Sequence, residues 1–545
     1  MKNKLMFFIL ISLMFFQLGQ NPALANDIEP IFLLGKNNQA EVMDINGKIL
    51  SSLTLMNGPQ KVITNICGSK LIFCKDKKQW SISLLNNELN TIKKRLTENS
   101  QLISYAINQN HSQFWAISHR NEKDENDELI QVDLKTLECN RISLDSPGIG
   151  IALSPNEAYL IITTRGLNPL YGNLLILKTD SFKIAGIFDI NKNPADLHFF
   201  INQNILMISS YGYHPALKKI DKEIIQTDAS IPGGADYIDL TTLKQSPSIP
   251  LGNICGKFIE KNGRVYALVS NDKNGRVIEL NPSGISTEFS VNFIPRQIEV
   301  NLQRSEIYVI GLKNIAIVNQ NNNQLIADFK FNWKIEQFVW HEDSPYGLVY
   351  HPTSRGILSI LNLTDFRIEK NISLGRGYMV ALKTLDYASS VSSGDISALL
   401  DAQDMITRSG NMLLVPSKKK AYIYNTFTQD VSIFDIENNQ LKQRIGCTFL
   451  GDSAKLIMTP NQKFVLVMGE DKWRLINTET DQTELDLRIK WFDPFEKKIT
   501  PSFYQTASGE QLIVSTGKKI YFVDLQTGKL NKKMASKTKN ALISW

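Results

Sequence analysis

The feature that most constrains this chain is a unit at residues 422–445. It reads Tyr422-Ile423-Tyr424-Asn425, a polar corner through Gln429, Val431-Ser432-Ile433-Phe434-Asp435-Ile436, a second corner at Glu437-Asn438-Asn439, and Leu441-Lys442-Gln443-Arg444-Ile445. These runs are too short for helices, rich in β-branched and aromatic residues, and bounded by Asn, Asp and Thr, which favour turns. They predict three short strands joined by two tight turns. Val431 and Ile433 fall on one face of the middle strand, Phe434 and Ile436 on the other. A sheet that is apolar on both faces must be covered on both sides, which stacked copies of the same unit achieve.

The pair of runs Tyr422 to Asn425 and Val431 to Asp435 resembles the YVTN-type β-propeller repeat, with Ile423, Tyr424 and Phe434 replacing its Val, Thr and Ile. The resemblance implies an all-β propeller of four-stranded blades and carries little about function.

The same grammar recurs from Asp27 onward. First corners are predicted near Ser69, His111, Pro155, Gln203, Asn262, Arg304, Asp343, Lys418, Asn461 and Ser508. Most are spaced by roughly forty residues, the length of one blade. Second corners are marked by Asp44, Asp133, Asp239, Asp435 and Asp524. A carboxylate there accepts backbone N–H groups two or three residues on, so these aspartates are read as structural rather than catalytic.

About eleven units are expected. A single ring of that size is unusual, so two packed propellers are the expected arrangement, with blades at 26–250, 251–384 and 411–545. The first unit, residues 30–53, lacks an inner strand, while residues 540–545 form an apolar strand with no unit of its own. That last segment is expected to complete the first blade and close the ring, removing open sheet edges. Two stretches break the rhythm. Residues 211–235 hold His214-Pro215 and Pro232-Gly233-Gly234, and residues 385–410 are Ser-rich with a short helix predicted over 395–407. Long excursions of this kind carry function or mark a junction.

A rival architecture is an outer-membrane barrel, suggested by the terminal aromatic Trp545. Barrel strands of roughly 9 to 11 residues alternate strictly between lipid-facing and polar positions. The runs here are mostly shorter and apolar on both faces, which disfavours a barrel.

Residues 1–25 carry Lys2 and Lys4, an apolar run from Leu5 to Phe16, and Ala23-Leu24-Ala25. This is the pattern of a cleaved secretory signal, so an exported protein of the periplasm or cell exterior is expected, with no transmembrane segment after cleavage. The 545-residue chain has a formal charge of +6, and loss of the two lysines leaves 58 − 54 = +4, which gives no reason to expect nucleic acid.

Five cysteines, Cys67, Cys74, Cys139, Cys255 and Cys447, are few and odd in number, so at least one thiol is free or pairs between chains. Cys67 and Cys74 flank a tight turn, and buried thiols are favoured over a bridge there. The six histidines, His111, His119, His198, His214, His341 and His351, show no metal-ligand spacing, and no Cys-x-x-Cys-His is present. Nor is there a Gly-x-Ser-x-Gly elbow, a Walker loop or a strand-following Gly-x-Gly-x-x-Gly. No cofactor or metal is therefore expected from local sequence. His341-Glu342-Asp343 falls in a first corner and is explained by a solvated turn. His198 lies on a predicted inner strand, where a half-buried structural histidine outweighs a ligand.

Loops entering inner strands, and those between second and third strands, share one face. That face receives Arg165, Arg276, Arg296, Arg355, Arg376, Lys192 and Lys455, with Tyr171, Tyr211 and Tyr213 as aromatic anchors. Guanidinium groups grip carboxylates or phosphates bidentately, although scattered solvated charges are the plainer reading. The expected function is a noncatalytic scaffold binding a protein, peptide or glycan through Arg165, Arg296, Arg355, Arg376, His198, Tyr171 and Tyr213. The competing class is a channel-centred enzyme, either a lactonase-like hydrolase or a redox-enzyme subunit.

Overall fold

The computed structural model describes residues 31–35, 38–44, 48–55, 58–65, 67–119, 127–165, 171–212, 218–220, 223–225, 232–252, 258–271, 274–353, 356–374, 411–426, 428–447, 454–469, 472–488, 502–506, 509–516, 519–535 and 542–544. The expected signal segment, the helix over 395–407, Cys255, His214 and Trp545 lie outside the described residues.

Blade nine shows how the repeat folds. Strands Asn411–Val415, Lys420–Asn425, Asp430–Asp435 and Gln440–Gly446 pair antiparallel in chain order, with Tyr422 opposite Ile433. Alternation along Lys420–Asn425 then splits its side chains. Ala421 and Ile423 pack with Leu348, Tyr350, Leu358 and Ile360 of blade eight. Tyr422 and Tyr424 pack with Val465 and Val467 of blade ten. Every apolar side chain of the strand thereby leaves water, at roughly 1.5–3 kcal/mol each.

Eleven such sheets follow one another, each with four strand positions from the inner to the outer edge. Blade one takes Ile31–Gly35, Gln39–Met43 and Ile49–Thr54 from one end of the chain and its inner strand, Leu542–Ser544, from the other. Leu33 lies opposite Ile543 in that junction. Apolar clusters join each blade to the next, and a further one joins blade eleven to blade one through Ile513, Ile520 and Phe522 against Ile31, Leu33 and Met43. The blades therefore run in a single circuit, and the expected division into two packed propellers is not found. Two separate rings would interrupt this succession, because each ring would have to pack its own last blade on its own first. The barrel is likewise not seen among the described residues.

Corner chemistry follows the local rules. Asp133 Oδ1 accepts the N–H groups of Lys135 and Thr136 at 2.8 and 2.9 Å, and Asp239 and Asp524 repeat the arrangement. The residue that closes such corners often sits in the left-handed region even when it is large, as at Leu137, Leu243 and Phe366 with φ of 56°, 52° and 51°. Non-glycine residues there store about 1–2 kcal/mol of backbone strain, which burial of Leu137 in the seam between blades two and three offsets.

One device is absent from the sequence pattern. In nine blades the third and outer strands slip register by one residue near the start of the outer strand. The unopposed residues include Leu50, Lys93, Ile326, Lys442 and Glu484. Such bulges twist an exposed strand edge and blunt its pairing with other chains.

Blade five departs most from the pattern. Its inner three strands are Pro194–Phe200, Ile205–Ser210 and Gly233–Asp239, and its outer position is shared by Lys244–Gln245 and Ile249–Gly252. Pro247 and Pro250 in this region deny the sheet two N–H donors. A two-stranded ribbon, Lys218–Ile220 with Glu223–Ile225, lies within the connection between its second and third strands.

Candidate functional site

The loops that enter inner strands and those that join second to third strands form one face of the ring, here called the entry face. On it, the seam between blades four and five gathers several of the expected binding residues. Blade four comprises Gly148–Leu153, Tyr159–Thr164, Tyr171–Lys178 and Lys183–Asn191. Arg165 follows its second strand, Tyr171 opens its third, and Lys192 follows its fourth. Lys192 Nζ donates to the carbonyls of Arg165 at 3.0 Å and Tyr171 at 3.3 Å.

The loop carrying Lys192 is itself anchored. Asn191 donates its backbone N–H and side-chain amide to the buried carboxylate of Asp236 in blade five, at 2.8 and 3.1 Å. Burial pushes the Asp236 carboxyl up while these bonds draw it down, and burial prevails. Burial, and then the neighbouring Arg165 charge, push the Lys192 ammonium below its ordinary range. The Lys192 ammonium is thus fixed near the exposed Arg165 and beside Tyr171, which remains 45% exposed.

Other expected residues are dispersed. Arg276 spends its guanidinium on Glu288 of its own blade six at 2.7 Å and on the Leu251 carbonyl of blade five at 3.4 Å, so it is not offered to a ligand. Arg296 and Lys455 are exposed on separate blades, seven and ten. Arg355, Arg376 and Tyr213 lie outside the described residues. The Arg cluster expected from sequence therefore reduces, among described residues, to Arg165 with Lys192.

His198 sits on the inner strand of blade five and is buried. Its Nδ1 lies 3.7 Å from Glu260 Oε2 on the inner strand of blade six, and its Nε2 has no hydrogen-bond partner. Burial pushes this imidazole down, against the pull of the Asp196 and Glu260 charges. Tyr211 approaches the same place, its ring 6.2 Å from that of Phe258.

Two histidine arrangements escaped the sequence reading. His119 ends the second strand of blade three and places Nδ1 2.6 Å from Asp127 Oδ1, while Asp127 Oδ2 accepts the Gly148 N–H of blade four at 2.7 Å. A histidine closing one strand and an aspartate opening the next was the available signal. His351 is fully buried between Lys334 O at 3.0 Å and Ser359 Oγ at 2.8 Å. A carbonyl only accepts, so Nδ1 carries a proton, while the Ser359 hydroxyl donates onward to Asn371 Oδ1 at 2.6 Å. No spacing rule marks it, because Lys334, His351 and Ser359 come together only through sheet pairing. Both histidines hold structure together.

The thiols divide. Cys74 is buried, and burial pushes it up to about 11, so it is inert at neutral pH, and Cys447 behaves alike. Cys67 is free and exposed, contrary to the expectation of a buried thiol, because the turn carries it outward while Cys74 stays in the strand Lys70–Lys75.

On the opposite face, a cavity of about 270 Å³ lies between the first corners of blades four and five, lined by Pro155, Asn156, Phe199, Phe200, Ile201 and Leu240 among others. Its lining includes no titratable side chain, so it has no means of acid–base chemistry. Among the described residues no group of three or more His, Cys, Asp or Glu is placed to hold a metal ion, and no helix is long and apolar enough to cross a membrane.

No family model matches the chain, and no curated protein matches it. Among solved structures it is similar to the dihydro-heme d1 dehydrogenase NirN in complex with DHE, at 10% identity over 65% of this chain and 75% of that one, with a TM-score of 0.31. It is also similar to apo AztD from Citrobacter koseri, at 11% identity over 77% of this chain and 95% of that one, with a TM-score of 0.32. Likenesses this distant carry no argument about the site.

Proposed function

We propose that this chain is an exported, noncatalytic β-propeller of the YVTN-like kind that binds a protein, peptide or glycan partner through its entry-face loops. The observation that carries this reading is the grouping of Arg165, Tyr171 and Lys192, in which one ammonium is clamped by two loop carbonyls beside an exposed aromatic residue. Two neighbouring cations, of which Lys192 is held, favour carboxylate-bearing partners, and a ring supplies contact area at low entropic cost. Export rests on the three-part pattern of residues 1–25. The periplasm or cell exterior is the corresponding compartment.

The test uses fluorescence polarisation with labelled polyglutamate and labelled polygalacturonate. At least one probe binds the parental protein, and the Arg165→Glu, Lys192→Glu double variant weakens it by at least about tenfold, the equivalent of one charged hydrogen bond. The melting temperature should not move. If neither probe binds, or if the double variant binds equally well, this reading is wrong.

A further inference from the structure

The seam between blades five and six brings a histidine near two carboxylates at the inner wall. Asp196 and His198 stand two residues apart on the inner strand of blade five, opposite Ser209 and Met207, so both point to the same side of the sheet. That side faces blade six, where Met207 and the half-buried Tyr211 pack with Phe258 and Val265. Blade six answers with Glu260, on an inner strand only three residues long, Ile259–Lys261.

The two carboxylates are open to solvent. Asp196 is exposed, and the Glu260 side chain is 60% exposed. Among the described residues no lysine or arginine forms an ion pair with either. The neighbouring Lys261 turns away, with Nζ 3.1 Å from Glu299 Oε2 of blade seven. Behind the carboxylates stands His198, its side chain nine-tenths buried, with Nδ1 toward Glu260 and Nε2 unpartnered. The Tyr211 phenol, pushed up by burial and then by the Asp196 charge, completes the wall together with the Phe258 ring.

A neutral imidazole that turns its N–H toward a carboxylate leaves a lone pair on the other nitrogen. Asp196, Glu260 and Nε2 are then all acceptors, and two negative charges sit beside aromatic faces. Anions are repelled there, and a neutral polyol leaves the charges unmatched. Two carboxylates beside aromatic faces suit an organic cation. A guanidinium offers five donors in a plane, and ammonium or guanidinium groups are drawn to aromatic faces.

We propose that the inner edge of the seam between blades five and six is a binding site for an organic cation, a guanidinium or alkylammonium group held between Asp196 and Glu260 beside the Tyr211 ring. His198 is a positioning residue: neutral, it orients Glu260; protonated, it places a positive charge where the ligand's belongs. This site is separate from the Arg165 and Lys192 pair and stands or falls without it.

The probe is N-acetyl-arginine amide, with its neutral isostere N-acetyl-citrulline amide as control, titrated calorimetrically into the full-length exported protein. The arginine compound binds and the citrulline compound is at least tenfold weaker. Glu260→Gln and Asp196→Asn each weaken binding at least about fivefold, and both positions are exposed enough to leave the melting temperature in place. Affinity falls as pH drops below about 6.5 and on through the lower folded value of His198, where it takes up its proton. His198→Asn flattens that profile, which a purely structural histidine would not do. Arg165→Glu leaves this binding unchanged, so failure here is distinguishable from failure on the entry face. Equal affinity for the two compounds, no binding, or full binding by Glu260→Gln overturns the proposal.

Discussion

The seam between blades nine and ten and the seam between blades five and six are built from the same repeat, yet they treat charge in opposite ways. In the first, Asp481 sits in the second corner of blade ten and is 1% exposed. It accepts from Lys420 Nζ at 2.8 and 2.9 Å, from Tyr422 Oη at 2.7 Å and from Lys442 Nζ at 2.8 Å, all in blade nine. Burial pushes its carboxyl up, but these donors outweigh burial and hold it below the usual carboxylate range. In the second seam, among the described residues, Asp196 and Glu260 meet no lysine or arginine and His198 keeps an unsatisfied nitrogen. Closed charge networks pin blades together, whereas open charge is available to bind.

The comparison can be broken by removing one member on each side. Asp481→Ala strands a buried lysine, so a loss of about 3–5 kcal/mol is expected, read as a large drop in melting temperature. Glu260→Gln, at a 60% exposed side chain, should leave that temperature unmoved. Equal losses in the two variants would mean that both seams are structural.

Tyr422→Phe sharpens the first seam by deleting one hydroxyl while keeping the ring. About 1 kcal/mol of loss is expected, since Asp481 retains its two ammonium partners. A thermal shift near that of Asp481→Ala would show the phenol, not the ion pairs, to be the main tie.

The smallest effect is a slope with pH. Burial pushes His351 down, so its folded value lies below the ordinary 6.5. Between that lowered value and about 6.5 the unfolded chain binds the extra proton, and stability must rise with pH. Lowering pH from 7.5 to 5 should therefore reduce the melting temperature, and His351→Asn should reduce it less over the same interval. A steeper slope in the variant contradicts the assignment. Asp481 acts in a different window: its contribution is complete above about 3.9 and disappears as pH falls through its lower folded value.

Part of the site was legible because its signals are local. His198 could be placed on an inner strand, and Arg165, Lys192 and Tyr171 on one face, from the order of strands and loops alone. That Lys192 binds the Arg165 and Tyr171 carbonyls while Arg276 is consumed by Glu288 depends on where loop ends finish in space. Glu260 drew no attention at all, since its meaning comes from a histidine 62 positions earlier on another blade.

By itself, the sequence determined the strand-and-corner grammar, the aspartates that close the corners, and a count of about eleven units. Each of those rests on alternation within six residues or on hydrogen bonds spanning two to four. Only the tertiary structure decided that the units form one circuit, that nine outer strands bulge, and which charges are neutralised across seams. Those outcomes depend on side chains about forty to sixty residues apart meeting between blades, and a repeat length sets the spacing of such meetings without naming the partners.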